Sequence, residues 1–329
     1  MEQTLTDSFG RRHDYLRISL TPHCNLRCFY CMPNEHYDAP PAKNLMQTDE
    51  IDAIAGKFVK LGINKIRLTG GEPFVRNDAG TVIEKLSAYK VQLAISTNGI
   101  RINEFLPSLK AAGIRSMNVS LDTLDQNKFL AITKRDQYKT VWNNIELLLN
   151  HNMHVKLNVV VMKGINDNEV NDFIRLTKEL PIHVRFIEFM PFDKNNWNNE
   201  RLFSWQEVLH LAASEYDFFP LQPAANDTAK SYQVYNHKGT FAVISTMTAP
   251  FCDTCNRIRL TADGKMKNCL FSEGEVDLLS PLRNGEDIEP LIRQCIMDKK
   301  KATGGQFDSI PANINPATLH NRSMIAIGG

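Results

Sequence analysis

Six short runs rich in Val, Ile and Leu, separated by stretches of helical periodicity, constrain this chain more than any other feature. They cover residues 15–20, 65–69, 92–96, 116–121, 154–161 and 183–189. Runs this short and this apolar predict strands of a buried parallel sheet. Between the first two, Thr48 is placed to N-cap a helix with Asp49 and Glu50 in its first turn, where the helix dipole favours acids. Ile51, Ile54, Ala55, Phe58 and Val59 then recur at helical spacing, and Gly62 supplies the stop. The pattern repeats over residues 103–112 before Gly113, and again over 139–150 and 167–180. Strand–helix alternation of this kind implies consecutive βαβ units. Six units are fewer than the eight of a closed barrel. The expected fold is therefore α/β, an open, partial (β/α)6 TIM-like barrel. Beyond about Asn195 the regularity fades, and residues 195–199 and 220–227 look like loops. This predicts a barrel domain over residues 1–194 and a smaller C-terminal domain over 195–329.

At 329 residues and 43% hydrophobic content the chain can bury a large core. Its formal charge of +1 provides no global field for nucleic acid or membrane, so neither is expected as a partner. An anion site would have to be assembled from locally clustered Arg and Lys. No run approaches ~18 apolar residues and the N-terminus carries no apolar signal segment, so a soluble, cytoplasmic protein is expected. Seven cysteines are an odd number, and a chain of this length needs no disulfide staples. Six fall into two spaced triplets; Cys295 stands apart and reads as a core thiol.

The first triplet is Cys24-Asn-Leu-Arg-Cys28-Phe-Tyr-Cys31, directly after the first strand. A loop there sits at the C-terminal mouth of the sheet, where barrel enzymes carry out chemistry. Three thiolates so close can ligate three irons of a [4Fe–4S] cluster and leave the fourth open to a chelating ligand. Zinc is the alternative, with His23 or His36 as a fourth ligand. CxxxCxxC after a first strand resembles the radical S-adenosylmethionine (SAM) superfamily. That resemblance implies reductive cleavage of SAM to a 5′-deoxyadenosyl radical and makes Tyr30 the aromatic that packs on the adenine. Thr69-Gly-Gly-Glu-Pro73 ends the second strand, and its two glycines allow close backbone approach. It resembles the superfamily's motif for the SAM amino group, with Gly71 as the contact. Ser120 and Met190 end the fourth and sixth strands and become further SAM contacts by the same resemblance.

Arg17, Arg67, Lys156 and Arg185 lie on four different predicted strands where apolar residues are expected. Long cations are seldom buried without a partner. They either face an anionic ligand such as a phosphate chain or pair with Glu72, Asp122 or Glu188, Arg185 most readily. The second triplet is Cys252-Asp-Thr-Cys255, thirteen residues, then Cys269, and Arg257 and Arg259 share one face if the intervening segment is a strand.

The order of these motifs, with Ser96-Thr-Asn-Gly99, Lys163-Gly-Ile-Asn-Asp167 and the terminal Gly328-Gly329, resembles the GTP 3′,8-cyclase family of molybdenum cofactor biosynthesis over nearly the whole chain. The resemblance implies two [4Fe–4S] clusters: Cys24, Cys28 and Cys31 holding one, Cys252, Cys255 and Cys269 the other. SAM would meet Tyr30, Gly71, Ser120 and Met190. GTP would lie against Arg17, Arg67, Ser96, Lys156, Arg257, Ile258 and Arg259, its base on the second cluster's open iron. A serine at position 96 replaces the family's threonine, which leaves Ser96 and Thr97 as alternatives for the hydroxyl contact. Gly328 and Gly329 would form a tail reaching the active site. The implied reaction is hydrogen abstraction from C3′ of GTP and attack on C8 of guanine. The implied partners are a second copy of the chain, an external electron donor and a downstream cyclic pyranopterin monophosphate synthase. Two other readings remain at this stage: a peptide-modifying twin-cluster radical SAM enzyme, and a zinc-stabilised binding module without catalysis.

Overall fold

The computed structural model describes residues 4–32, 40–193, 195–307 and 321–328. The six predicted strands are present as β1 (Tyr15–Ser19), β2 (Lys65–Thr69), β3 (Gln92–Thr97), β4 (Ser116–Ser120), β5 (His154–Val161) and β6 (His183–Glu188). Between them run α1 (Thr48–Lys60), α2 (Ala79–Ser87), α3 (Ile102–Ala111), α4 (Gln126–Thr133), α5 (Tyr138–Asn150) and α6 (Val170–Glu179). After β6 follow α7 (Trp205–Ala213), β7 (Phe218–Pro220), β8 (Lys230–Val234), β9 (Thr240–Ile244), β10 (Arg257–Leu260), β11 (Lys265–Lys267), β12 (Val276–Asp277), α8 (Leu279–Arg283), α9 (Glu289–Met297) and α10 (Met324–Ile327).

All twelve strands join one sheet in the order β12-β11-β10-β1-β2-β3-β4-β5-β6-β9-β8-β7. β10 runs parallel to β1 and β9 parallel to β6, so strands from the C-terminal third extend the six-unit sheet at both ends. The sequence predicted a regular barrel and a less regular region beside it. The structure shows that region lengthening the barrel sheet, with the second cysteine loop leading into β10. Among the described residues no helix is long and apolar enough to cross a membrane.

The two faces of the sheet differ in kind. Leu16, Ile18, Ile66, Leu68, Val155, Leu157 and Val184 point outward and are fully buried against Ile54, Phe58, Ile83, Leu109, Ile145 and Phe173 of the helices. Each such side chain contributes about 1.5–3 kcal/mol of transfer free energy. Alternation then sends the intervening residues, including Arg17, Arg67, Lys156 and Arg185, to the inner face. Ile258 obeys the same rule in the other direction. Paired with Leu16 and wholly buried in the outer core, its side chain faces away from the cavity that Arg257 and Arg259 line. Only the main chain of Ile258 is shared with the row that Arg257 and Arg259 form along this strand.

Two local expectations also change. Gln47, not Thr48, caps α1, with the Glu50 carboxylate accepting from the Gln47 N–H at 2.7 Å. The Thr48 hydroxyl instead donates to Asp78. α2 and α4 were not anticipated; α4 is short and buries only Phe129, Ile132 and Thr133.

Candidate active site

The first cysteine loop leaves the C-terminal end of β1 and is fastened on two sides. Arg27 N–H donates to the Thr133 carbonyl at 2.9 Å and Phe29 N–H to Ile132 at 3.2 Å, which laces the loop to the end of α4. Cys31 and Met32 N–H groups both return to the Cys28 carbonyl, closing a tight turn over the last two cysteines. All three thiols are free and partly exposed. Burial, with Glu72 behind it, raises Cys24 to about 11. Burial also raises Cys28 well above the usual thiol range, with Asp122, Cys31 and Cys24 adding to it. Cys31 rises to about 12 through burial, Cys24 and Asp122. Among the described residues no three His, Cys, Asp or Glu side chains are gathered so as to hold a metal ion as they stand. A four-iron cluster takes one thiolate on each of three irons, and the donor set of this loop fits that demand. His36, weighed as a zinc ligand, lies outside the described residues.

Gly70 and Gly71 are required by this loop. A Cβ on Gly71 would lie 2.3 Å from the His23 carbonyl oxygen, and one on Gly70 would lie 2.7 Å from that of Thr21. Gly71 N–H is already donated to Thr21 at 2.7 Å, so the carbonyl is the atom it can offer to an amino group. Glu72 is buried and accepts from Asn98 N–H at 2.6 Å, the Thr97 hydroxyl at 2.7 Å and Phe74 N–H at 3.1 Å. Asn98 in turn donates to Asn25 at 2.7 Å and approaches the Cys24 sulfur at 3.7 Å. The strand ends of β2 and β3 thereby position the first cysteine. The Tyr30 hydroxyl donates to Asp122 at 2.6 Å, and its ring meets Phe189 edge-on. Ser120 is exposed at the end of β4, and Met190 lines the central cavity.

That cavity, of about 330 Å³, lies against the inner face. Its volume falls within the ~300–1,000 Å³ typical of small-molecule sites. Register aligns Arg259, Arg17 and Arg67 across β10, β1 and β2, with Tyr15, Lys65 and Arg257 one step below. Asn118, Lys156, Asn158 and Arg185 line the opposite wall. Glu72, Asp122 and Glu188, the carboxylates weighed as partners for these cations, are all engaged elsewhere. Asp122 accepts from Tyr30 and from Val160 N–H, and Glu188 from the N–H groups of Trp205, Met247 and Thr248. Arg185 donates to Asn158, so the expectation that it is the cation most readily paired with acid is corrected. Nε of Arg17 and of Arg185 and Oδ1 of Asn118 are buried without a partner among the described residues. Asp227, on the loop after β7, is the acidic residue in the wall.

Burial and mutual repulsion set the electrostatics. Arg17 is pressed down to about 10 by burial, Arg67 and Arg257, and Arg185 to about 9 by burial, Arg67 and Arg17. Lys156 falls to about 8 through burial, Arg185, Arg67 and Lys65. Like charges held in a low-dielectric recess cost free energy that a polyanion recovers. On β3, Ser96 is paired with Asn118 and accepts from Arg67 at 3.4 Å, whereas the Thr97 hydroxyl is committed to Glu72 and accepts from Gly99 N–H. Geometry thus leaves Ser96 as the hydroxyl on the cation-bearing side.

The second cysteine loop closes one end of the cavity, which Cys252, Cys255 and Cys269 line together. Here the surroundings are cationic. Burial would raise Cys255, but Lys299 and Arg257 outweigh it and bring the thiol to about 7. Arg11 holds the Cys252 carbonyl at 2.8 Å, and Arg257 lies 4.8 Å over the Phe251 ring.

The chain is 46% identical to the mitochondrial GTP 3′,8-cyclase of Arabidopsis thaliana over 99% of its own length and 83% of that protein. It is 40% identical to the GTP 3′,8-cyclase of Desulforamulus reducens, covering 90% of this chain and 94% of the relative. The chain belongs to the GTP 3′,8-cyclase family. Residues 18–177 match the Radical SAM superfamily and residues 182–304 match Molybdenum Cofactor Synthesis C. Molybdenum cofactor biosynthesis protein 1 of Mus musculus is 43% identical over 98% of this chain; the chain spans about half of that relative, 51%. Among solved structures, Streptococcus suis SuiB superposes with a TM-score of 0.64 at 12% identity, covering 90% of this chain and 68% of that one. At that identity the likeness concerns the fold.

Gly328, the last described residue, lies beside Arg259 and the ends of β1 and β2. The Gly328 carbonyl accepts from Arg259 at 2.5 Å, and a Cβ on Gly328 would lie 2.8 Å from Thr69 Oγ1 and 2.9 Å from Ser19 Cβ. Gly329 lies outside the described residues. Sequence reasoning missed Tyr15, Lys65, Asn118 and Asn158 on the cavity wall. Their signal was alternation: on β5, His154, Lys156 and Asn158 are the inner positions between outward-facing Val155, Leu157 and Val159. Cys295 is buried in α9, as expected of a core thiol.

Proposed function

We propose that this chain is a radical SAM lyase converting GTP to 3′,8-cyclo-7,8-dihydro-GTP, the first step of molybdenum cofactor biosynthesis. The observation that carries the substrate is the cavity itself: seven cations from five strands, none paired with a carboxylate among the described residues, with a cysteine triplet at one end. Superfamily membership supports SAM and iron–sulfur chemistry, and the two triplets support two [4Fe–4S] clusters. Residues 1–194 then serve as the radical-generating part and 195–329 as the part that brings the second site to it.

In this reading Cys24, Cys28 and Cys31 hold the first cluster, and Cys252, Cys255 and Cys269 the second. When bound, the first cluster with SAM supplies the 5′-deoxyadenosyl radical. The chain's own residues bind and orient. The Gly71 carbonyl receives the SAM amino group, and Tyr30, Ser120 and Met190 surround the rest. Arg17, Arg67, Arg257 and Arg259 hold the triphosphate, Lys156 and Ser96 the nucleoside, and Gly328, beside Arg259 and the ends of β1 and β2, belongs to the Gly-Gly tail that serves the active site. Fixed donors of this kind convert encounter into near-attack geometry and exclude water. A homodimer, an external one-electron donor and a synthase that consumes the product complete the proposal.

The test is anaerobic incubation of reconstituted protein with SAM, dithionite and GTP. Methionine, 5′-deoxyadenosine and a cyclised nucleotide should form together; iron-loaded protein that leaves GTP unchanged would overturn the assignment. A pH dependence also follows. Lys156 is depressed to about 8, so the free protein loses that charge above this pH and GTP binding must restore it by proton uptake. GTP affinity should therefore fall by up to about tenfold per pH unit above pH 8, and Lys156→Met should flatten the profile. Affinity that stays constant from about pH 7 to pH 9 would count against a direct Lys156 contact.

A further inference from the structure

Lys299 is 3% exposed and lies just beyond α9, far in sequence from both cysteine loops. Its Nζ donates to the Cys255 sulfur at 3.5 Å and to the Arg257 carbonyl at 3.0 Å. It forms no ion pair with a carboxylate among the described residues. A buried ammonium whose partners are a sulfur and a carbonyl is poorly compensated while that sulfur is a neutral thiol. It becomes well compensated once the sulfur is an iron-bound thiolate. The same end of α9 reaches the third cysteine of the group, because Asn268, next to Cys269, donates to the Cys295 carbonyl at 2.7 Å. α9 therefore braces the second loop from behind, and Lys299 is its charged contact.

We propose that Lys299 is a positioning residue for the second iron–sulfur site, holding Cys255 by a charge-assisted N–H···S bond that favours the reduced cluster. The inference rests on the reading of Cys252, Cys255 and Cys269 as cluster ligands. Hydrogen bonds and positive charge near cluster sulfurs raise a cluster's reduction potential, because reduction adds negative charge.

The test uses the full chain with Cys24, Cys28 and Cys31 all changed to alanine, so that the second cluster is observed alone. In that background Lys299→Met should retain iron and sulfide but titrate at a more negative potential. At a fixed potential the oxidised-to-reduced ratio should rise about tenfold, equivalent to about 59 mV for one electron. Lys299→Arg should restore most of the difference. A Lys299→Met protein with the parent's potential would overturn the assignment. So would equal loss of the cluster from Lys299→Met and Lys299→Arg, which would make shape rather than charge the requirement. Loss from Lys299→Met with retention in Lys299→Arg would support it. A parent with neither iron nor sulfide would overturn the second-cluster reading and this inference with it.

Discussion

Cys24→Ser should bring 5′-deoxyadenosine formation down to the level of protein-free controls while the second site keeps its iron. Serine is nearly isosteric, and the two groups that approach the Cys24 sulfur, Leu26 N–H at 3.4 Å and Asn98 Nδ2 at 3.7 Å, can turn to a hydroxyl oxygen. The fold should therefore survive. The site should not, because an alkoxide is far harder to form than a thiolate. Even the native thiol is raised to about 11 by burial and Glu72, so iron must displace a proton that the pocket holds tightly. Iron in reconstituted protein should drop from about eight to about four per chain, since each cluster carries four. Undiminished deoxyadenosine would refute the assignment of the first cluster. Unchanged near-ultraviolet circular dichroism would separate loss of the site from loss of the fold.

Much of this architecture was legible from local sequence because each strand is buried on a single apolar face. On β5 the alternation of His154, Lys156 and Asn158 with Val155, Leu157 and Val159 identifies both the strand and its polar face. The same rule, applied to β10, separates Ile258 from Arg257 and Arg259; the family resemblance had grouped all three. What local pattern could not supply was partnership across long separations. Nothing in residues 257–260 shows that Arg259 stands beside Arg17, because that pairing joins strands more than two hundred positions apart. Lys299 is illegible for a related reason. It begins a Lys-Lys-Lys run that reads as a solvated segment, and only packing against Cys255 buries the first of the three. Glu72 shows a third limit. Its motif was recognised as a ligand-facing turn, yet its carboxylate is consumed in fixing Asn98 and, through it, the cysteine loop.

Arg259→Ala should weaken GTP binding by about 10- to 150-fold, the ~1.5–3 kcal/mol associated with hydrogen bonds to charged groups, without destabilising the ligand-free protein. Arg259 is buried in a row with Arg17 and Arg67, and its basicity is driven well below the usual range by burial, Arg17 and Arg257. Among the described residues its hydrogen-bond partner is the Gly328 carbonyl. Removing it relieves like-charge repulsion that offsets the lost hydrogen bond, so the thermal midpoint should hold or rise. A residue built for the fold would behave oppositely. Arg259→Lys should recover only part of the affinity, because an ammonium cannot present the two-pronged donor geometry that suits phosphate. The deficit should shrink at high salt, where a polyanion and a cationic recess attract less strongly. SAM cleavage in the absence of GTP should be unchanged, since Arg259 is hydrogen-bonded to Gly328 and influenced by Arg17, Arg257 and Cys269 rather than by the Cys24–Cys31 loop. GTP affinity equal to that of the parent would remove Arg259 from the triphosphate site. It would leave the guanidinium as an anchor for the tail alone, a role that Gly328→Ala tests separately, because its added methyl group would lie 2.8 Å from Thr69 Oγ1.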